Sequence, residues 1–70
     1  MATRKSPYSN LLGEMAKANV SREDIAKALG KTYQTIHSKI VGDTDFTLKE
    51  MVKIQRLLDT DLTLDVLFKF

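Results

Sequence analysis

The chain has no cysteine and no tryptophan, a single histidine, a single proline and only three glycines in 70 residues. Without cysteine there is no disulfide framework, and His37 alone cannot build a zinc site of the usual all-protein kind. No metal and no other cofactor is expected. No apolar run approaches the ~20 residues that span a membrane, so no membrane partner is expected. The N-terminal Met1–Pro7 carries Arg4 and Lys5 but lacks the apolar stretch that a signal peptide places behind its basic end. These absences lead us to expect a cytoplasmic protein. Also missing are an alternating strand pattern, a hairpin turn signal, a glycine-rich phosphate loop and an acid pair with a plausible base. The expectation is an all-α protein with no enzymatic activity and no small-molecule ligand.

The chain is long enough for one domain at most. A domain of this size buries only about 60% of its unfolded surface, which leaves oligomerisation as the open route to extra stability. The net charge of +2 decides little, but its distribution is uneven. Up to residue 42 there are seven basic residues against three acids; from residue 43 on there are four against six. A basic first half and an acidic second half suit a polyanion that meets the first half alone, and also suit an ordinary solvated surface.

Read along the chain, residues 1–7 form a flexible N-terminal arm and residues 8–70 a folded domain. From Tyr8 to Asn19, Tyr8, Leu11, Leu12, Met15 and Ala18 follow the helical period, and Asn19 tolerates the left-handed geometry that ends helices. Ser21 is the next N-cap, with Glu23 and Asp24 in a first turn that favours negative charge. Ile25, Ala26 and Leu29 form the inward stripe of that second helix, and Gly30 ends it. Thr32 caps a third helix from Tyr33 to about Val41, with Ile36 and Ile40 inward and Gly42 as its stop. Thr47-Leu-Lys-Glu50 is a capping box, with Phe46 and Met51 at the positions of a hydrophobic staple. The fourth helix that it opens has the stripe Met51, Ile54, Leu57 and Leu58. Thr63 caps a short fifth helix holding Leu64, Val66, Leu67 and Phe68.

Function is concentrated at the junction of the second and third helices. Leu29-Gly-Lys-Thr32 leaves only about three residues between two capped helices, which marks a helix-turn-helix. Ala26 is small enough to let the third helix approach, while Ile25, Leu29, Ile36 and Ile40 supply the shared core. At 100° per residue the side of the third helix away from Ile36 and Ile40 presents Gln34, Ser38 and Thr35. Tyr33 and His37 lie on one flank and Lys39 on the other. This surface is polar and almost uncharged, where a merely solvated face would be filled with Lys and Glu. Such groups match base edges in a major groove: Gln pairs bidentately with adenine, and Ser or Thr serves either partner. Arg22 and Lys31 lie near helix N-termini whose free N–H groups suit phosphate. Lys27 reads as plain surface, and Arg4 and Lys5 as part of a disordered arm. Tyr33 either packs its ring on the turn or meets a base, and His37 reads as an exposed flank residue rather than a proton switch.

The run Val20-Ser-Arg-Glu-Asp-Ile-Ala-Lys-Ala-Leu-Gly-Lys-Thr-Tyr-Gln-Thr-Ile36 resembles the lambda-repressor/Cro (Xre-type) helix-turn-helix family. The likeness continues through Lys39-Ile-Val-Gly42, Asp45-Phe-Thr-Leu48 and Leu64-Asp-Val-Leu-Phe68, covering Asn10 to Phe68 and pointing to phage and prophage repressors of Gram-positive bacteria. The resemblance implies a five-helix domain that binds double-stranded operator DNA as a homodimer, with the third helix in the major groove. By position it implies base contacts from Tyr33, Gln34 and Ser38, joined by the flank residue His37. It implies phosphate contacts from Arg22 and Thr32, with Thr35 against the backbone; Lys31 and Lys39 complete the expected phosphate set. The chain departs from the family pattern at Val41, at Tyr33, and in the loop after the third helix, which holds Asp43 and Asp45 where basic residues are common.

The rival reading is a protein-interaction module, such as an antitoxin or accessory subunit that uses the same scaffold for docking. The C-terminal Val66-Leu-Phe-Lys-Phe70 gives it weight, because these apolar side chains cannot all fit the inward face of one short helix. Val66, Phe68 and Phe70 are the expected homodimer contact.

Overall fold

A computed structural model describes residues 8–70, so the expected N-terminal arm, with Arg4 and Lys5, lies outside the described residues. Five helices follow one another: α1 (Ser9–Ala18), α2 (Arg22–Leu29), α3 (Tyr33–Ile40), α4 (Leu48–Leu58) and α5 (Leu64–Leu67). There is no strand among the described residues. The order, number and type of elements match the expectation of an all-α bundle resembling the lambda repressor.

Local chemistry explains the boundaries. Asn19 adopts φ 57° after α1, and the N–H groups of Asn19 and Val20 reach back to the carbonyls of Ala16 and Met15. Gly30 repeats that closure after α2 at φ 68°, with its own N–H on Lys27 and that of Lys31 on Ala26. Gly42, at φ 94°, closes α3 in the same way, with Asp43 donating to the carbonyl of Ser38. In each case a left-handed residue satisfies carbonyls that the helix end leaves free. The starts are equally explicit. Ser21 Oγ accepts from the Asp24 N–H while the Asp24 carboxylate accepts from the Ser21 N–H. Thr47 and Glu50 make the expected reciprocal pair. Thr63 precedes α5 without a side-chain cap bond, so that short helix depends on packing.

One core is shared by all five helices. Leu11, Ile25, Ile36, Ile40, Ile54 and Leu67 are fully buried. Burying each is worth about 1.5–3 kcal/mol. α2 packs on α3 and α4, and α5 packs on α1 and α4 without reaching α3. The outer side of α3 is therefore left open.

Two apolar stripes are narrower than expected. Ala18 is exposed, and Val20 beyond the turn packs against the core instead. Leu57 is also exposed; on α4 it lies about 60° from Ile54 on the side away from Met51 and Leu58. Phe68, expected at a homodimer contact, instead packs inward. Its ring meets Phe46 at 5.2 Å and Tyr8 at 6.0 Å, and Phe70 meets Tyr8 at 5.0 Å, all edge-on. This aromatic group ties the C-terminus to the start of α1. Tyr8 takes part from a left-handed φ of 58°, a conformation whose cost the ring packing offsets. Of the three residues, Val66 and Phe70 remain exposed, at 43% and 76%.

Candidate nucleic-acid interface

The site begins with the turn. The left-handed Gly30 and the Thr32 cap reverse the chain within three residues, and Ile25, Ala26, Ile36 and Ile40 lock α2 against α3. Ala26 is buried, in keeping with close approach of the two helices. With Ile36 and Ile40 inward, Gln34 and His37 are exposed and Ser38 and Thr35 are half-buried. Tyr33 is 50% exposed. It stacks nearly parallel on His37, with ring centres 5.9 Å apart and an interplanar angle of 11°. The structure thus brings Tyr33, Gln34, His37 and Ser38 to one accessible side of α3.

The expected phosphate residues divide into two groups. Arg22 opens α2, half-buried, beside an open groove of about 370 Å³ shared with Tyr33 and Val20; its Nε is buried and has no acceptor within the protein. Thr32 accepts from the Thr35 N–H at 3.2 Å, and the two hydroxyls are 2.9 Å apart. That pair consumes one hydroxyl proton and leaves the other for an outside acceptor. Lys31 is exposed, and its ammonium lies 3.8 Å from the buried Glu50 carboxylate, a long contact.

Lys39, also expected at phosphate, is already engaged within the protein. Its ammonium donates to Glu50 Oε1 at 2.8 Å and to the Asp45 carbonyl at 3.2 Å, and its side chain is 12% exposed. The reason is the fourth helix. The capping box draws the Glu50 carboxylate inside, where a charge needs a partner, and Lys39 on the adjoining flank of α3 supplies it. Burial pushes the Glu50 carboxyl up; the bonds from Lys39 and the Thr47 N–H, with the charges of Lys39 and Lys31, outweigh that and leave it below its usual value. Glu50 therefore joins the helix-turn-helix to the head of α4. From the sequence it reads only as a cap.

Sequence reasoning also missed Lys49 and Lys53. They line an open groove of about 230 Å³ with Lys31, Leu29, Thr47 and Glu50. Their i, i+4 spacing on α4 was visible in the sequence. That this side borders the turn was not. Asp43 and Asp45 stay exposed in the loop after α3, so that loop carries negative charge. Among the described residues no cluster of three or more His, Cys, Asp or Glu could hold a metal ion, and no helix is long and apolar enough to cross a membrane.

Comparison with curated proteins and with solved structures gave no match. A family model described as helix-turn-helix matches residues 14–64, from the middle of α1 to the start of α5. That span is well over half of the chain and contains both helices and the turn described above; the chain belongs to this DNA-binding helix-turn-helix family.

Proposed function

We propose that the chain is a sequence-specific transcriptional regulator of the phage-repressor type that binds operator DNA as a homodimer through the major groove. The observation that supports this most is the open side of α3: Gln34, Ser38, Tyr33 and His37 stand together there, and α5 packs elsewhere. Gln34 and Ser38 read base edges, with Tyr33 and His37 beside them. Phosphates flank this ridge. At the head of α2 a phosphate meets free N–H groups and the Arg22 side chain beside them. Thr32, Thr35 and Lys31 hold the backbone at the head of α3, with Lys49 and Lys53 extending the cationic border. The uncovered ridge gives the docking-module alternative no particular support.

The dimer uses Val66 and Phe70, and it sets the two α3 helices about 34 Å apart, one turn of DNA. Selection from random duplex DNA tests the proposal. The expected result is a two-fold symmetric site whose affinity falls steeply with salt. Failure to enrich any sequence refutes it.

A further inference from the structure

We infer that the first turn of α3 reads an A·T pair, with the stacked rings of Tyr33 and His37 seated against the C5-methyl group of thymine and Gln34 on adenine. This rests on the proposed major-groove reading and specifies its ligand. Three observations carry it. First, the ridge contains an aromatic platform. Tyr33 is half exposed at the start of α3, and His37 one turn later lies nearly parallel to it. Stacking pairs one face of each ring and leaves the outer ring face as apolar surface. In the major groove the only apolar feature of a base edge is the thymine methyl.

Second, Gln34 precedes His37 by three residues and is exposed. A carboxamide sets a donor NH2 beside an acceptor oxygen, which fits the N7 and N6 of adenine.

Third, α3 itself presents no outward lysine or arginine. Guanine is read most often by Arg or Lys. The one lysine within α3, Lys39, is held inward by Glu50 and the Asp45 carbonyl. Lys31 lies before the Thr32 cap and leans toward Glu50. Arg22 borders Tyr33 from the head of α2, where it is assigned to phosphate, so α3 itself presents a methyl-seeking platform and an amide and no outward cation.

The test uses the best duplex from random selection. Each thymine is replaced singly by deoxyuracil, which removes the methyl and keeps the pairing and the O4 acceptor. Fluorescence anisotropy at fixed salt then compares the duplexes. One thymine per half-site should lose about fourfold in affinity, the worth of one buried methyl at about 0.8 kcal/mol. In Tyr33→Ala, checked for an unchanged thermal transition, the thymine and uracil duplexes should bind alike. Tyr33→Phe, which keeps the ring, should restore the difference. If no uracil substitution matters, if discrimination survives in Tyr33→Ala, or if a G·C pair is selected at that position, the inference is overturned. Enrichment of no sequence at all would instead bring down the major-groove reading itself.

Discussion

The outer side of α3 and the head of α4 are built from similar polar residues and put them to opposite use. On α3, Gln34 and His37 are exposed and Ser38 is half-buried, and α5 does not pack over this side. At the head of α4, Glu50 turns in, caps Thr47 and takes the ammonium of Lys39 from α3. One helix thus contributes to both regions, and its 100° step per residue decides which side chain goes where. A polar group therefore has to be assigned by what packs beside it. The outward set is free for a ligand; the inward set holds together the frame that presents it.

Substitutions can break this contrast, beginning with the frame. Ile36 is fully buried beneath the ridge, so Ile36→Ala should lower stability by about 2–5 kcal/mol, read by chemical denaturation. Loss of DNA binding should follow only through unfolding. Glu50→Ala comes next. It removes the partner of a half-buried Lys39 together with a cap, and an expected loss of about 1.5–3 kcal/mol corresponds to a hydrogen bond to a charged group.

The same residue predicts a dependence on pH. Glu50 is held below its usual value of 4.5 in the folded chain. Its contribution is thus complete above the unfolded value and is lost as pH falls through the lower, folded one. Glu14, lowered chiefly by the Thr60 hydroxyl, and Asp24, lowered chiefly by the Ser21 N–H, act with the same sign. Melting temperature should fall on acidification, and Glu50→Gln should flatten part of that fall but not all of it. An unchanged acid profile in Glu50→Gln would mean that the inward pair does not hold the frame.

On the outward side, Gln34→Ala should leave the melting temperature unchanged and cost about 1–3 kcal/mol of discrimination at one base pair. Competition between the selected duplex and single-base variants measures it. Coupled loss of stability would erase the distinction between the two regions. At the C-terminus, Phe70→Glu should shift sedimentation toward monomer. Phe68→Ala should chiefly lower the melting temperature, because Phe68 packs on both Phe46 and Tyr8 and is less exposed than Phe70. The smallest effect is expected for Lys31→Ala, which should reduce the salt slope of binding by about one and weaken all sequences alike.

The helix-turn-helix was largely legible because its signals are local. Ser21, Gly30, Thr32 and Gly42 act within a few residues of themselves, and the period of Ile25, Leu29, Ile36 and Ile40 needs no partner to be seen. The ridge followed from the same period, since fixing Ile36 and Ile40 inward leaves Gln34 and Ser38 opposite. The inward pairing of Lys39 was not legible, for a related reason. The wheel places it on a flank, and whether a flank faces DNA or α4 depends on how another helix packs. Phe68 was misjudged likewise, because its neighbours Tyr8 and Phe46 are distant in sequence.

By itself, then, the sequence determined the all-α class, the five helices and the N-caps of α2, α3 and α4, the turn between α2 and α3, and the polar character of the reading face. Capping, left-handed turns and the 3.6-residue period act over distances shorter than one helix. Only tertiary structure decided that Glu50 takes Lys39, that Lys49 and Lys53 border Lys31, that Phe68 joins the rings of Tyr8 and Phe46, and that α5 leaves α3 uncovered. Each of these turns on which surfaces meet when separate helices bury their apolar stripes in one core.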